Sequence, residues 1–334
     1  MLRSSLITAT IRKSVVAFLA IISVLFVGQT CRSTGIEEAI RLVELARFSD
    51  ASDAARSWVP KAAHVAADES VYLILMLESR SPGYRIVRMR QSRGVEPFQD
   101  PEWFANRGLL IAFAVSRQKQ FYNFVPDSTQ VHSEIWVWDG SWARLECGTE
   151  RPRGFVCDQL QLEDVYVAET YMVDRGFSRK LTRVSEGEPR TVELPVSQRI
   201  AFVTDVWLVG EIAYYLGYSK PSSEFMTRVY FCRYNSDSEE SSTKLIWEQP
   251  YPTVERAGGL GTDSWLISSG ARILLGFEGK MWSFRSSASG LELEAVRESL
   301  VPLHCKFLPN PAGLPLYIDH EDRILTLRIE REQT

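Results

Sequence analysis

One strand pattern recurs along this chain at a nearly fixed interval. Strands that follow a turn, and precede a polar loop and one more strand, begin near Tyr84, Glu134, Arg179, Thr227, Lys280 and Arg323. The intervals are 50, 45, 48, 53 and 43 residues. The strands are read from β-branched and aromatic runs and from alternation: Val71 to Leu77, Leu109 to Val115, Glu134 to Trp138, Val165 to Val173, Ile212 to Tyr218, Arg228 to Tyr234, Arg272 to Phe277 and Leu316 to Ile318. Turn signals separate them, among them Ser81-Pro82-Gly83, Asp139-Gly140, Lys220-Pro221-Ser222 and Glu278-Gly279. Outer strands follow at Trp142 to Cys147, Thr191 to Leu194, Lys244 to Glu248 and Leu291 to Val296, so that 196–249 and 262–298 read as quartets. A four-stranded antiparallel unit has two apolar faces and cannot shelter both from water. Stacked radially, such units bury them against neighbours and leave only short edges.

At the level of pattern, residues 54–334 resemble the β-propeller superfamily, in which a four-stranded blade takes about 40–50 residues. The resemblance implies six blades. Only Glu330 to Thr334 follow the sixth recurring strand, so the last blade needs an outer strand from elsewhere. The segment Ala54 to Val59 is placed to supply it, which predicts hydrogen bonds between residues near Trp58 and the strand Ile324 to Ile329. No blade carries a family signature. Trp138-Asp139 lacks the Gly-His partner of WD40 repeats, the kelch-like Gly258-Gly259 occurs once, and the sialidase Ser-x-Asp-x-Gly-x-Thr-Trp box is absent. A β-sandwich, or two smaller ones, is the alternative; it predicts frequent turns but no period near 48 residues.

The N-terminus reads differently. Arg3, Arg12 and Lys13 precede an apolar run from Val15 to Val27 broken only by Ser23, a positive region followed by a hydrophobic stretch of export-signal length. The run is short for a membrane span, which needs about 20 apolar residues. Cys31 stands where bacterial lipoproteins carry the lipid-bearing cysteine, and Leu25 to Cys31 resembles a lipobox, with Thr30 in place of the small residue before the cysteine. Lipid attachment at Cys31, an uncleaved anchor and free secretion are the three readings. The expected division is therefore a signal or anchor over 1–31, a helical linker over 32–53 and a β-propeller-like body over 54–334. Within the linker, Ile36, Ala39, Ile40, Val43 and Ala46 fall on one helical face and Glu37, Glu38, Arg41 and Glu44 opposite, which predicts an amphipathic helix over 36–48. These readings place the body in the cell envelope, outside the cytoplasm and membrane-tethered.

With Cys31 set aside, Cys147, Cys157, Cys232 and Cys305 remain. An oxidising compartment allows disulfides, and Cys147 and Cys157, flanking a loop with Gly and Pro, could staple adjacent strands; free buried thiols are the other reading. A formal charge of −4 over 334 residues argues against nucleic acid as the main partner. The basic group Arg85, Arg88, Arg90 and Arg93 reads as a solvated strand face.

Standard catalytic motifs are absent: there is no GxSxG, HExxH, P-loop or GxGxxG, and no cofactor or metal is expected. Asp319-His320-Glu321-Asp322 offers three carboxylates and an imidazole for a cation or for acid–base work, but it sits between two strands, where polar residues make an ordinary hairpin turn, and the turn is the favoured reading. Trp136 and Trp138 share one strand face with Trp142 just past a turn. Exposed indoles of this kind, Trp138 and Trp142 above all, could stack on a sugar or grip a peptide, whereas buried ones would fill the space between blades. Two functions fit these features. One is a membrane-tethered platform that binds a protein or a glycan. The other is an extracytoplasmic hydrolase or lyase whose site, at the propeller mouth, is assembled from scattered carboxylates and arginines. Converging charged groups around the axis favour the enzyme, an apolar rim the platform.

Overall fold

A computed structural model describes residues 39–47, 58–77, 84–90, 94–98, 109–117, 119–125, 133–145, 152–173, 176–197, 199–219, 226–250, 263–301 and 304–330. The chain divides by its contacts into Met1–Arg41 with Arg328–Thr334, and Leu42–Leu327. Of the small unit only two strand ends, 39–41 and 328–330, are described; the sheets and their cores belong to the large one.

Among the described residues there are strands and no helix. After β1 (Ala39–Arg47), the first sheet is β2 (Trp58–Val65), β3 (Val71–Leu77), β4 (Tyr84–Arg90) and β5 (Gly94–Pro97). The second is β6 (Leu109–Ser116), β7 (Lys119–Val125), β8 (Glu134–Trp138) and β9 (Trp142–Leu145). Next come β10 (Pro152–Cys157), β11 (Val165–Val173), β12 (Gly176–Arg183) and β13 (Thr191–Glu193), then β14 (Phe202–Val209), β15 (Ile212–Tyr218), β16 (Met226–Asn235) and β17 (Ser241–Pro250). The fifth sheet is β18 (Trp265–Ser269), β19 (Arg272–Phe277), β20 (Lys280–Ser287) and β21 (Gly290–Glu298). The sixth holds β22 (Lys306–Phe307), β23 (Leu316–Ile318) and β24 (Arg323–Glu330), with β1 beside β24. All six recurring strands of the sequence are third strands of their sheets. The third and fourth sheets are continuous, because Phe177 of β12 also pairs in parallel with Phe202 of β14.

At five of the junctions, neighbouring sheets bury apolar faces against each other. Tyr72 and Ile74 of the first sheet pack on Phe113, Tyr122 and Phe124 of the second. Ala114 and Phe121 meet Phe155 and Val165 of the third, and Tyr166 and Leu181 meet Val203, Tyr215 and Cys232 of the fourth. Trp207, Tyr214 and Phe231 then pack on Leu275, Phe277 and Phe284 of the fifth. The sixth closes on the first through Leu316, Ile318 and Ile324 against Leu73, Leu75 and Met89. The chain is a six-bladed β-propeller. A fully buried side chain of this size gives about 1.5–3 kcal/mol, so these five clusters are the principal source of stability.

Two expectations need correction. The segment read as a helix over 36–48 is the strand β1, because β24 offers an unpaired edge and that tertiary pairing outweighs a helical period. Leu45 and Ala46 pack on the core between the sixth and first sheets. Closure does come from the N-terminal side, but not from the segment near Trp58: Trp58 pairs with Leu77 as the start of the first sheet, and residues 54–57 lie outside those described.

The axis is filled by the chain itself. In the sixth sheet the connection from β22 to β23 runs from Leu308 to Pro315. The Pro309 carbonyl accepts from the Ala63 N–H of β2 at 2.9 Å, the Pro311 carbonyl from the Cys157 N–H of β10 at 2.8 Å, and the Gly313 carbonyl from the Leu266 N–H of β18 at 2.9 Å. Gln159 Nε2 donates to the Ala312 carbonyl at 2.9 Å and the Leu266 carbonyl at 2.8 Å. Only where first strands converge can one short segment meet those of the first, third and fifth sheets. Proline at 309 and 311 has no N–H to leave unsatisfied there. Asn310 holds the segment in shape, donating to the Leu314 carbonyl at 2.7 Å and accepting its N–H at 3.0 Å.

Gly313 has φ +63°, and a Cβ there would lie 2.0 Å from Cδ1 of Trp207 in β14. Gly313→Ala is expected to cost more than about 2 kcal/mol by overpacking and left-handed strain together. Gly279→Ala, also at positive φ but with open space around it, should cost only about 1 kcal/mol. Urea unfolding midpoints compare the two; equal losses would show that the axial segment does not press on Trp207.

Candidate functional site

Sheet four carries a bulge in its first strand. The β14–β15 register shifts between Val203 and Val206, and the two residues inside the shift, Thr204 and Asp205, are polar in an otherwise apolar strand. The Asp205 carboxylate accepts from the Thr204 hydroxyl at 3.3 Å and from the hydroxyl of Ser264, which leads into β18 of the fifth sheet. The residue keeps some exposure while its carboxyl is enclosed by protein. Burial pushes that carboxyl up to about 6, against the Ser264 and Thr204 hydrogen bonds and the positive charge of Arg179.

Groups from four sheets gather at this end. Arg179 of β12 comes from the third sheet and donates to Thr170 Oγ1. Tyr218 closes β15, its hydroxyl raised by burial and by the nearby Asp205 charge. Glu278 sits at φ +51° in the tight turn between β19 and β20, and burial, then the Asp263 charge, raise its carboxyl. Tyr317 of β23 in the sixth sheet is raised by burial, opposed by a hydrogen bond with Trp265, and feels Asp263 as well. A buried carboxyl that holds its proton to about 6, within reach of the Arg179 charge, can act as an acid toward a bound group.

Apolar side chains lie exposed at the same end of the third and fourth sheets. Met172 of β11 is 79% exposed and stands opposite Phe177, which pairs with Phe202. The two phenyl rings stack at 5.9 Å, both about two-fifths exposed. Phe177 and Arg179 are two residues apart on one face of β12.

The residues singled out from sequence sit elsewhere. Asp319, His320, Glu321 and Asp322 form the turn between β23 and β24. Asp319 Oδ1 accepts the N–H groups of Glu321 and Arg323, both at 2.9 Å, and Oδ2 accepts Arg323 Nε at 2.7 Å. Burial alone would raise this carboxyl, but the bonds from Arg323 and the two amides outweigh it and hold it below its usual range. Asp322 takes φ +58° as the turn requires, and the exposed His320 meets His304 edge-on at 4.9 Å. Trp138 and Trp142 are half-buried, packed on each other at 5.2 Å and, through Trp142, on Tyr122. Cys157 is a free buried thiol in β10, whose ionisation burial suppresses; Cys147 and Cys31 lie outside the described residues. Of the basic group, Arg88 and Arg90 pair with Asp68 at 2.6 and 3.7 Å. None of these residues belongs to the Asp205 group. The one trace of that group in the sequence is Thr204-Asp205, interrupting the run from Phe202 to Val209.

No protein-family model matches the sequence, and no curated protein matches it. Among solved structures, the chain is similar to a puromycin hydrolase at 15% identity and a TM-score of 0.43, over 79% of this chain and 44% of that one. It is similar to the α-L-arabinanase of Penicillium chrysogenum complexed with arabinobiose, at 9% identity and a TM-score of 0.45, over 87% of this chain and 98% of that one. It is also similar to the β-propeller domain of the Trilobed protease from Pyrococcus furiosus, at 10% and 0.41, over 84% and 100%. The chain spans about half the length of the hydrolase and of the acylaminoacyl peptidase of Pyrococcus horikoshii that it also matches. These are likenesses of fold alone.

Two buried groups give opposite pH dependences of stability. Between about 4 and 6 the folded chain holds a proton on Asp205 that the unfolded chain releases. This group's contribution therefore falls as pH rises through that window, by up to roughly 3 kcal/mol, and is flat above it. His64 in β2 is the reverse case. Burial lowers its imidazole from 6.5 to about 4, opposed by its hydrogen bond to the Val115 backbone, so stability is lost as pH falls from 6.5 to 4. The two nearly cancel in the native chain. In Asp205→Asn the histidine slope should stand alone, and unfolding midpoints from pH 4 to 7 should steepen on the acid side; an unchanged profile would show that Asp205 titrates normally.

Proposed function

We propose that this propeller carries a hydrolytic site at the end of its axis, with Asp205 as proton donor. The observation that carries the reading is the buried Asp205 carboxyl, raised to about 6, with Arg179 and Tyr218 near it and Tyr218 in turn near Glu278, which Asp263 adjoins. In the reaction proposed, water adds across a polar bond of the substrate. The ionised partner carboxylate, Asp263 or Glu278, takes the proton from water as its oxygen attacks; Asp205 delivers its proton to the departing atom; Arg179 offsets negative charge that builds up in between. The hydrophobic leader after Arg3, Arg12 and Lys13 supports a site of action outside the cytoplasm, with the N-terminus at the membrane.

The test is a screen of the purified full chain against chromogenic glycosides, esters and peptides from pH 4 to 8. Activity should fall as pH rises past about 6, because the acid must be protonated. Asp205→Asn should lower kcat by about 100-fold or more while the far-ultraviolet spectrum is unchanged. Activity that survives this substitution would overturn the assignment. A second reading, a binding platform, is favoured by the exposed Met172, Phe177 and Phe202. It predicts that Phe177→Ala abolishes capture of a protein or glycan ligand whereas Asp205→Asn leaves capture intact.

A further inference from the structure

Further along the fourth sheet, two residues from the level of Asp205 in the register, lies a second group of buried polar side chains that the hydrolytic reading does not use. Tyr214, Arg233 and Ser242 stand directly opposite one another across β15, β16 and β17, so their side chains share a face. That face looks onto the fifth sheet: Tyr214 donates to Ser286 Oγ of β20 at 2.8 Å, and Gly290 of β21 approaches the Ser242 Cβ so closely that an added Cβ would lie 3.0 Å away. Arg233 is 5% exposed, and among the described residues it forms no ion pair. Its Nε has no hydrogen-bond partner among them, and neither has the enclosed hydroxyl of Ser242 beside it. The polar group that does reach the guanidinium is the Tyr214 hydroxyl. Glu239 and Glu240, on the hairpin just beyond, are exposed and leave it unpaired. Ser287 and Ser289, hydrogen-bonded to each other at 2.7 Å, add hydroxyls at the facing turn.

Buried charges are ordinarily paired, because an isolated one costs several kcal/mol. This cation is enclosed with the Tyr214 hydroxyl against it and, among the described residues, no carboxylate paired with it. From this we infer that Arg233, with Ser242, Tyr214 and Ser286, forms a site between the fourth and fifth sheets for an oxyanion, a phosphate or carboxylate group. A guanidinium offers a rigid fork of N–H donors to two oxygens of such a group, and the hydroxyls can donate to the others. The site is separate from Asp205 and stands whether or not that residue is catalytic.

Thermal unfolding of the full chain, titrated with sodium phosphate or sodium acetate against sodium chloride at constant ionic strength, tests this. A bound ion raises the unfolding temperature saturably, whereas screening does not saturate. The expected result is a saturable rise with phosphate, with acetate or with both, the more effective ion identifying the group. Arg233→Met keeps the volume, folds without the buried charge, and should lose the saturable rise. Ser242→Ala, the milder change, should need about tenfold more of the ion for the same rise. If neither ion exceeds chloride, or if both variants respond as the native chain does, the site does not exist.

Discussion

A sheet of four short strands is apolar on both faces, and no arrangement of one such sheet in water removes both from solvent. Everything else in this molecule depends on that mismatch. Neighbouring sheets supply the missing cover in sequence, from Tyr72 against Phe113 round to Phe231 against Phe284, and the ring is complete only when the last sheet meets the first through Ile318 and Leu73. A ring so built has one weak seam, where the two ends of the chain must be joined. β1 covers it by hydrogen-bonding to β24, which removes an unpaired edge and secures the sixth sheet with a strand from the start of the chain. The seam also explains why a stretch with a helical period becomes a strand: a lone helix there would leave the ladder of β24 unmatched.

The convergence of first strands creates a second problem, a narrow axis lined by backbone edges whose N–H groups would otherwise face a channel. The Leu308–Pro315 segment answers it with carbonyl groups. Two prolines, which bring acceptors without donors, and one glycine, which lets the backbone pass under Trp207, suit the composition of that segment to its place. Asp205, Glu278 and Tyr317 belong to the fourth, fifth and sixth sheets.

Much of the architecture is legible in the sequence and the chemistry is not, for one physical reason. The period of about 48 residues and the strands from Val71 to Ile318 arise from patterns within short windows, alternation and turn chemistry, which survive in any single stretch of chain. Those patterns are enough to locate the third strand of every sheet. The helical reading of 36–48 fails because its outcome is set by the edge of β24, at the far end of the chain. The Asp205 group escapes in the same way: Arg179, Asp205, Ser264, Glu278 and Tyr317 come from four sheets, and no short window spans them. The conspicuous local cluster, Asp319 to Asp322, is conspicuous because a tight turn needs polar residues close together, and Arg323 holds Asp319 for that purpose.

The fourth sheet then has an unusual distribution of polar groups. Its middle is strongly aromatic, with Trp207, Tyr214, Tyr215 and Phe231 all buried. It holds two buried ionisable side chains, the Asp205 carboxyl in the β14 bulge and the Arg233 guanidinium in β16, two residues apart along the register. The cation that acts on Asp205 is Arg179 rather than Arg233, and among the described residues the two form no ion pair with each other. Hydroxyls reduce the cost of enclosing a charge without removing it: Ser264 and Thr204 favour the ionised form of Asp205, but burial outweighs them and raises the carboxyl. A core built for stability alone would place apolar residues at both positions, since well-packed hydrophobic replacements of buried charges are often neutral or stabilising. Both residues instead face the fifth sheet through hydroxyl groups, Ser264 for Asp205 and the Tyr214–Ser286 pair beside Arg233.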